Sequence, residues 1–342
     1  MSFVTLAIVL LVSLALLLAL VILAMAMILL RPPRMNDAKA MWVLKRMTPA
    51  DLGLRYETTS FLVRDERTAK QLKVAAWWIP APQPTQTDRT VVLVHGYADA
   101  KVGAIAWAPM WHALGYHIMA VDLRAHGESE GAYSTAGFYE RHDFNQVLNQ
   151  LRATRPSETR RLVVFGVSLG AAVALAALAE REDNIVDALI CECPFANYAS
   201  AAMAHARKMN LPFRSLQPLS IRLAQWISGA RFDDISPVKT IARIRCPLLV
   251  IQACDDVLVP SADVAAVERA VRDRRERGEI AEFWSVANAG HVLGICADPA
   301  AYAQHIQQFL QRATQSADAY HGFPTRADGP RATAHSARVE NP

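Results

Sequence analysis

Cysteine is scarce in this chain: five in 342 residues, an odd number, with no Cys-x-x-Cys pair. That excludes a disulfide-built scaffold and leaves no signature of a zinc ribbon or a thioredoxin-type redox site. One-sided charge is missing too. Thirty-six basic residues against 32 acidic ones leave a net charge of +4, too mild to point to a nucleic-acid partner. Charged residues make up only 20% and hydrophobic ones 52%, a balance that excludes an intrinsically disordered chain. No internal repeat is visible. The length allows two domains, although α/β folds often spend ~250 residues on one.

The longest absence is at the start. From Ser2 to Leu30 there is no charged residue; Leu, Ile, Val, Ala and Met fill almost every position. A spanning helix needs ~20 apolar residues to cross ~30 Å of hydrocarbon, so this stretch is long enough to cross with some tilt. A cleaved signal peptide is the rival reading. It would need a basic start and an apolar stretch of ~7–15 residues. No Lys or Arg precedes Arg31, although Ala24-Met25-Ala26 has the small-residue character of a cleavage site. Basic residues follow the run, at Arg31, Arg34, Lys39, Lys45 and Arg46. The positive-inside rule then predicts a single-pass membrane protein with its C-terminal bulk on the cytoplasmic side.

Beyond the stiff exit Arg31-Pro32-Pro33-Arg34, residues 35–56 read as a connecting segment. An early antiparallel pair is predicted at Tyr56–Val63 and Val74–Ile79. Short, nearly continuous apolar runs follow at Val91–Val94, His117–Val121, Leu162–Phe165, Ala188–Cys191, Leu248–Ile251 and Glu282–Val286. Helix-length stretches alternate with them, such as Glu140–Arg152, Leu169–Glu180 and Ser261–Arg272. Strands apolar on both faces, alternating with helices, predict a mainly parallel sheet covered on both sides. The rhythm stops between Phe195 and Arg245, where helical segments rich in Met203, Met209, Phe213, Leu216, Leu219 and Trp226 read as a small cap. From residue 313 onward apolar periodicity is gone, which predicts a disordered tail.

Gly166-Val167-Ser168-Leu169-Gly170 lies between an apolar strand and an Ala-rich helix. A sharp strand-to-helix turn strains its apex residue, and only small neighbours two positions away avoid a clash. The apex hydroxyl is then displayed above the sheet, near a helix N-terminus. A serine hydroxyl needs a base, and the base an orienting carboxylate. Asp256 follows the strand Leu248–Ile251, and His291 follows Glu282–Val286; both lie where open α/β sheets place their sites. Asp255 and Asp256 could instead simply cap the helix starting near Ser261. An acyl-transfer intermediate also needs two N–H donors, for which the backbone amides of Leu169 and Tyr97 are the candidates. His95 reads as a shaper of the Tyr97 loop. Cys191 and Cys193, two apart, are expected on one face of a strand, without the further ligands a metal site needs.

These features together resemble a serine hydrolase of the α/β-hydrolase superfamily, near its serine aminopeptidase-like and prolyl-oligopeptidase-like branches. The resemblance rests on His95-Gly96-Tyr97, Asp122-Leu123-Arg124-Ala125-His126-Gly127-Glu128-Ser129, the Gly166–Gly170 elbow, Asp256 with Val259-Pro260, and Gly290-His291. It implies an α/β-hydrolase domain over 57–312, with the cap at about 195–245, behind an anchor and exit over 1–34. It implies catalysis by Ser168, His291 and Asp256 without cofactor or metal, Asp122 to Ser129 being structural. Two departures stand out. Gln252-Ala253 replaces the His-Gly that often ends the strand before the acid. Some relatives carry their acid after the preceding strand, where this chain has Glu192. Asp255 and Glu192 are therefore the reserve acids. The expected activity is hydrolysis of an ester, thioester or amide, with carboxylic esters of small or lipid-like acyl groups favoured. A serine peptidase and a non-catalytic, membrane-tethered binding domain are the alternatives. Oligomeric state is not legible.

Overall fold

The computed structural model describes residues 2–208 and 214–320. Eight strands form one sheet in the order β1-β2-β4-β3-β5-β6-β7-β8. They are β1 (Glu57–Arg64), β2 (Gln71–Ile79), β3 (Arg89–Val94), β4 (His117–Val121), β5 (Arg161–Val167), β6 (Ala188–Glu192), β7 (Leu248–Ala253) and β8 (Ala281–Val286). β2 pairs antiparallel with β1 and β4. Every pairing from β4 through β3 to β8 is parallel. Both the early antiparallel pair and the parallel run expected from the sequence are present.

The apolar runs are continuous because successive side chains feed opposite faces, and both faces are covered. Val92, Val94, Val164, Leu189 and Val250 pack under the helices Glu140–Thr154, Leu169–Leu178 and Ser261–Glu276. Val91, Leu93, Phe165, Ile190 and Ile251 pack on the other side against Trp107, Trp111 and the final helix, Pro299–Tyr320. That helix corrects the expected tail. Tyr302, Ile306, Phe309 and Ala313 form one buried stripe at helical spacing, so ordered structure continues past residue 312 to Tyr320; residues 321–342 lie outside the described chain. Residues 35–56 likewise hold more than a linker. A short helix, Asp37–Leu44, buries Ala40, and Leu54 joins the same core.

Between β6 and β7 the chain leaves the sheet for an insert with helices Tyr198–Lys208 and Gln217–Ser228. Met209 and Phe213, assigned to it from the sequence, lie outside the described residues. The insert builds its own apolar cluster, including Ala202, Ile221, Ala224 and Phe232. Ala26 and Leu30, from the end of the N-terminal helix Phe3–Leu30, belong to that same cluster. This helix is long and apolar enough to cross a membrane.

Below the C-terminal rim of the sheet, Arg124 is buried between two carboxylates. It bonds Asp65 at 2.9 Å and grips Asp143 with both Nε and an Nη. A single cation holds β1's exit, the β4 loop and the helix Glu140–Thr154 together. Removing it leaves two buried acids facing one another, which costs about 3–5 kcal/mol for a pair of this kind. Arg124→Ala should therefore lower the unfolding free energy by that order, read from denaturant titration; an unchanged midpoint would contradict the assignment.

Candidate active site

β5 turns directly into the helix Leu169–Leu178 at Ser168, whose backbone sits at φ 50° and ψ −112°. This left-handed conformation is uncommon for a residue with a Cβ. The two glycines allow it. A Cβ on Gly166 would lie 2.6 Å from the Gly170 carbonyl oxygen, and one on Gly170 would lie 2.2 Å from the Val94 carbonyl oxygen and 2.6 Å from that of His95. The spacing of the motif is thus a packing requirement between the elbow helix and the end of β3.

His291 stands on the loop after β8. Its Nε2 is 3.0 Å from Ser168 Oγ, and its Nδ1 is 2.7 Å from Asp256 Oδ2. With Nδ1–H donated to the carboxylate, Nε2 is left as an acceptor facing the hydroxyl. Asp256 is fixed from its other side: Oδ1 accepts the N–H groups of Leu258 at 2.8 Å and Val259 at 3.0 Å. Oδ2 also accepts Gln252 Nε2 at 3.2 Å. Burial pushes the Asp256 carboxyl up, but the hydrogen bond and charge of His291 and the two backbone donors outweigh it, and its pKa falls below the ordinary value. Gln252, a departure from the family pattern, thereby acts on the acid itself.

The reserve acids are not in this chain of bonds. Asp255 is exposed, and its backbone N–H bonds Ala289. Glu192 is fully buried, with Oε1 accepting the Gly294 N–H at 2.9 Å and Oε2 the Tyr302 hydroxyl at 2.6 Å. Both oxygens are occupied in holding the His291 loop, where Val292 takes φ 52°, a strained state for a β-branched residue. The Glu192 carbonyl also accepts the Ser168 N–H at 2.9 Å. Asp256 does not cap the helix Ser261–Glu276, whose N-cap is Pro260.

The loop after β3 lies against Ser168: a Cβ on Gly96 would be 3.6 Å from Ser168 Cβ. His95 receives the Leu123 N–H on Nε2 at 3.0 Å and bonds the Gly96 carbonyl through Nδ1 at 2.7 Å. It ties this loop to the one after β4, and burial keeps it neutral. Asp122 accepts the backbone N–H groups of Lys101 and Glu128 and the Lys101 ammonium, a structural network like that expected. Tyr97 and Leu169 line the same cleft as Ser168 and His291. Leu169 occupies the first turn of its helix, where an N–H has no intrahelical acceptor.

Two features were not legible in the sequence. Contrary to the expectation that Cys191 and Cys193 share one face, they do not: β6 ends at Glu192, Cys193 turns to φ 51°, and its side chain joins the opposite core. There its thiol comes within 4.8 Å of ligand atoms of Asp256 and His291. Gln217 lines the cleft, is buried, and its Oε1 has no partner among the described residues. Both depend on contacts between segments distant in sequence, and no local signal could have revealed them.

The depressed Asp256 pKa has a consequence for stability. A carboxyl held below its ordinary 3.8 stabilises the fold above that pH, and the contribution is lost as pH falls through the lower folded-state value. Asp256→Asn should melt below the wild type near neutrality, and the gap should narrow below pH 3.8. A gap of constant size across that range would show that the carboxylate is not held ionised by its partners.

Residues 85–237 match the family described as serine aminopeptidase, S33. The chain is 27% identical over 236 residues to the uncharacterized protein YqkD of Bacillus subtilis, covering 69% of this chain and 75% of that one. It is 27% identical over 268 residues to the lysophosphatidylserine lipase ABHD12 of Macaca fascicularis, where it spans 64% of the relative's length. Among solved structures, the Pyrococcus furiosus esterase Pf2001 superposes with a TM-score of 0.63 at 25% identity, covering 82% of this chain and 99% of that one. Sheet order, elbow and these likenesses agree: the chain has the α/β-hydrolase fold.

Proposed function

We propose that this protein is a membrane-anchored serine hydrolase that cleaves carboxylic esters through an acyl-enzyme. The observation that carries the reading is the unbroken hydrogen-bond chain from Ser168 Oγ through His291 to Asp256. Ser168 Oγ attacks the ester carbonyl while His291 Nε2 takes its proton. The amides of Leu169 and Tyr97 receive the developing oxyanion. As the tetrahedral intermediate collapses, His291 returns the proton to the leaving alkoxide, and the alcohol departs. Water, deprotonated by His291, then attacks the acyl-enzyme and restores the serine. Asp256 holds the Nδ1–H tautomer and stabilises the imidazolium in both halves.

An ester substrate is favoured over a peptide by the cleft, whose lining is apolar apart from a few hydroxyl, amide and imidazole groups. The esterase and lipase named among the similar proteins point the same way. Ser168→Ala should lower kcat on p-nitrophenyl acyl esters by about 10⁴-fold or more and abolish labelling by a fluorophosphonate probe. Full turnover in the variant would remove Ser168 from the mechanism, and an unlabelled wild type would favour an idle binding domain.

The anchor is the helix Phe3–Leu30, with the catalytic domain on the cytoplasmic side. Met25 and Ala26, within the sequence that mimics a cleavage site, are buried against the folded domain, which supports a helix that is retained. Fusions at the C-terminus should fluoresce with green fluorescent protein and be inactive with alkaline phosphatase; the reverse pattern would invert the topology.

A further inference from the structure

Eighteen residues of the N-terminal helix, Phe3 to Leu20, are exposed apart from a half-buried Ala7. At ~1.5 Å per residue they measure ~27 Å, close to the ~30 Å of a hydrocarbon core. Sustained burial begins only after this stretch, with Val21 and Ile22 partly covered and Met25, Ala26 and Leu30 buried. The last turns thus stand outside the apolar slab and run along the catalytic domain. They carry two stripes. Ala26 and Leu30, four apart, enter the apolar cluster of the insert. Met25, Ile28 and Leu29, at i, i+3 and i+4, share another face and line the cleft that contains Ser168 and His291. Met25 is buried, while Ile28 is 49% exposed, at the mouth.

The end of the helix is fastened to the catalytic machinery. The Tyr97 hydroxyl donates to the Ile28 carbonyl at 2.6 Å, and burial pushes that phenol up to about 12, so it remains a donor. The Ser134 N–H bonds the Leu30 carbonyl at 2.8 Å. Beyond the two prolines, the Arg34 guanidinium reaches the carbonyls of Gly127 at 2.9 Å and Ser129 at 2.6 Å. The insert helix Gln217–Ser228 packs along the N-terminal helix and leaves Leu219 and Trp226, seven apart, exposed. The helix packed along the membrane segment thus adds exposed apolar surface beside the wall formed by Met25, Ile28 and Leu29.

We propose that the end of the N-terminal helix is part of the substrate site: Met25, Ile28 and Leu29 form the wall against which the acyl chain of a bilayer-resident ester lies, and they set the chain length accepted. This rests on the serine-hydrolase reading above. An acyl chain leaving the bilayer along this helix stays on apolar surface up to the nucleophile, whereas approach from water would expose it. The helix then does more than tether the enzyme; it selects among acyl groups.

The test uses the full-length protein in phosphatidylcholine vesicles, with p-nitrophenyl acetate, octanoate and palmitate. Met25→Trp and Ile28→Trp should lower the palmitate-to-acetate ratio of kcat/KM about tenfold or more, the scale on which an apolar pocket discriminates by size. Leu11→Trp, a bulky change on the 67% exposed lipid-facing surface, should leave the ratio at the wild-type value. Constant ratios in both cleft variants would overturn the proposal, as would an equal shift in Leu11→Trp. Should the tryptophans block folding, seen as joint loss of acetate turnover and fluorophosphonate labelling, Met25→Ala and Leu29→Ala decide. They must raise or lower the ratio about threefold, and an unchanged ratio overturns the wall. Failure of the hydrolase reading itself would look different: wild-type protein that neither turns over acetate nor takes up the probe.

Discussion

The arrangement at the rim of the sheet depends on one backbone constraint, the reversal at Ser168. A residue with a Cβ at φ 50° costs about 1–3 kcal/mol, and it persists because β5 and the elbow helix are each locked into the core on either side. Gly166 and Gly170 let helix and strand approach until a methyl group would collide with backbone carbonyls. The same contact brings the helix N-terminus against the end of β3, and so sets the Gly96–Tyr97 loop beside the hydroxyl. One steric condition thereby fixes the Ser168 hydroxyl, the first-turn amide of Leu169 and the neighbouring loop together.

Two carboxylates reach this rim, and their surroundings separate their roles. Asp256 accepts two backbone N–H groups on one oxygen and faces the imidazole with the other, so its ionised form is favoured despite burial. Glu192 sits deeper. Burial pushes its pKa up, and both of its oxygens are used by Gly294 and Tyr302. It anchors a strained histidine loop to β6, while His291 Nδ1 faces Asp256. Distance along the chain does not distinguish the two acids; their partners do, the imidazole for Asp256 and the Gly294 N–H and Tyr302 hydroxyl for Glu192.

The fold was legible where local pattern and burial coincide. Strands apolar on both faces call for cover on both sides, so the parallel run from β3 to β8 followed from the alternation of apolar runs with helix-length stretches. The elbow was legible because its glycines answer a local steric demand, and His291 and Asp256 because each follows a strand at the rim. The pattern failed where a long-range contact overrides alternation. Cys193 changes face because β6 ends one residue before it. Ordered structure continues past the domain end expected at residue 312 because Ala313 is still buried in the core, although Ala carries too little apolar signal to announce it. Gln217 and the cleft-lining face of the N-terminal helix belong to sites assembled from separate segments, which a linear reading cannot assemble.

The N-terminal helix also shows how an orphaned helix end can fix one body relative to another. A helix leaves its last four carbonyls without internal partners. Here Met27 is capped by Arg31, Ile28 by the Tyr97 hydroxyl and Leu30 by Ser134. Two of those three donors belong to the catalytic domain, so detaching the helix would expose its carbonyls and open the apolar cluster around Ala26 and Leu30. A flexible tether would let the cleft face any direction relative to the bilayer. A helix capped by the domain it carries removes that freedom, and on the proposed reading the mouth near Ile28 is held a turn or two of helix from the hydrocarbon. Orientation toward the lipid is then a property of the folded protein, set in part by Tyr97, a residue that also lines the cleft.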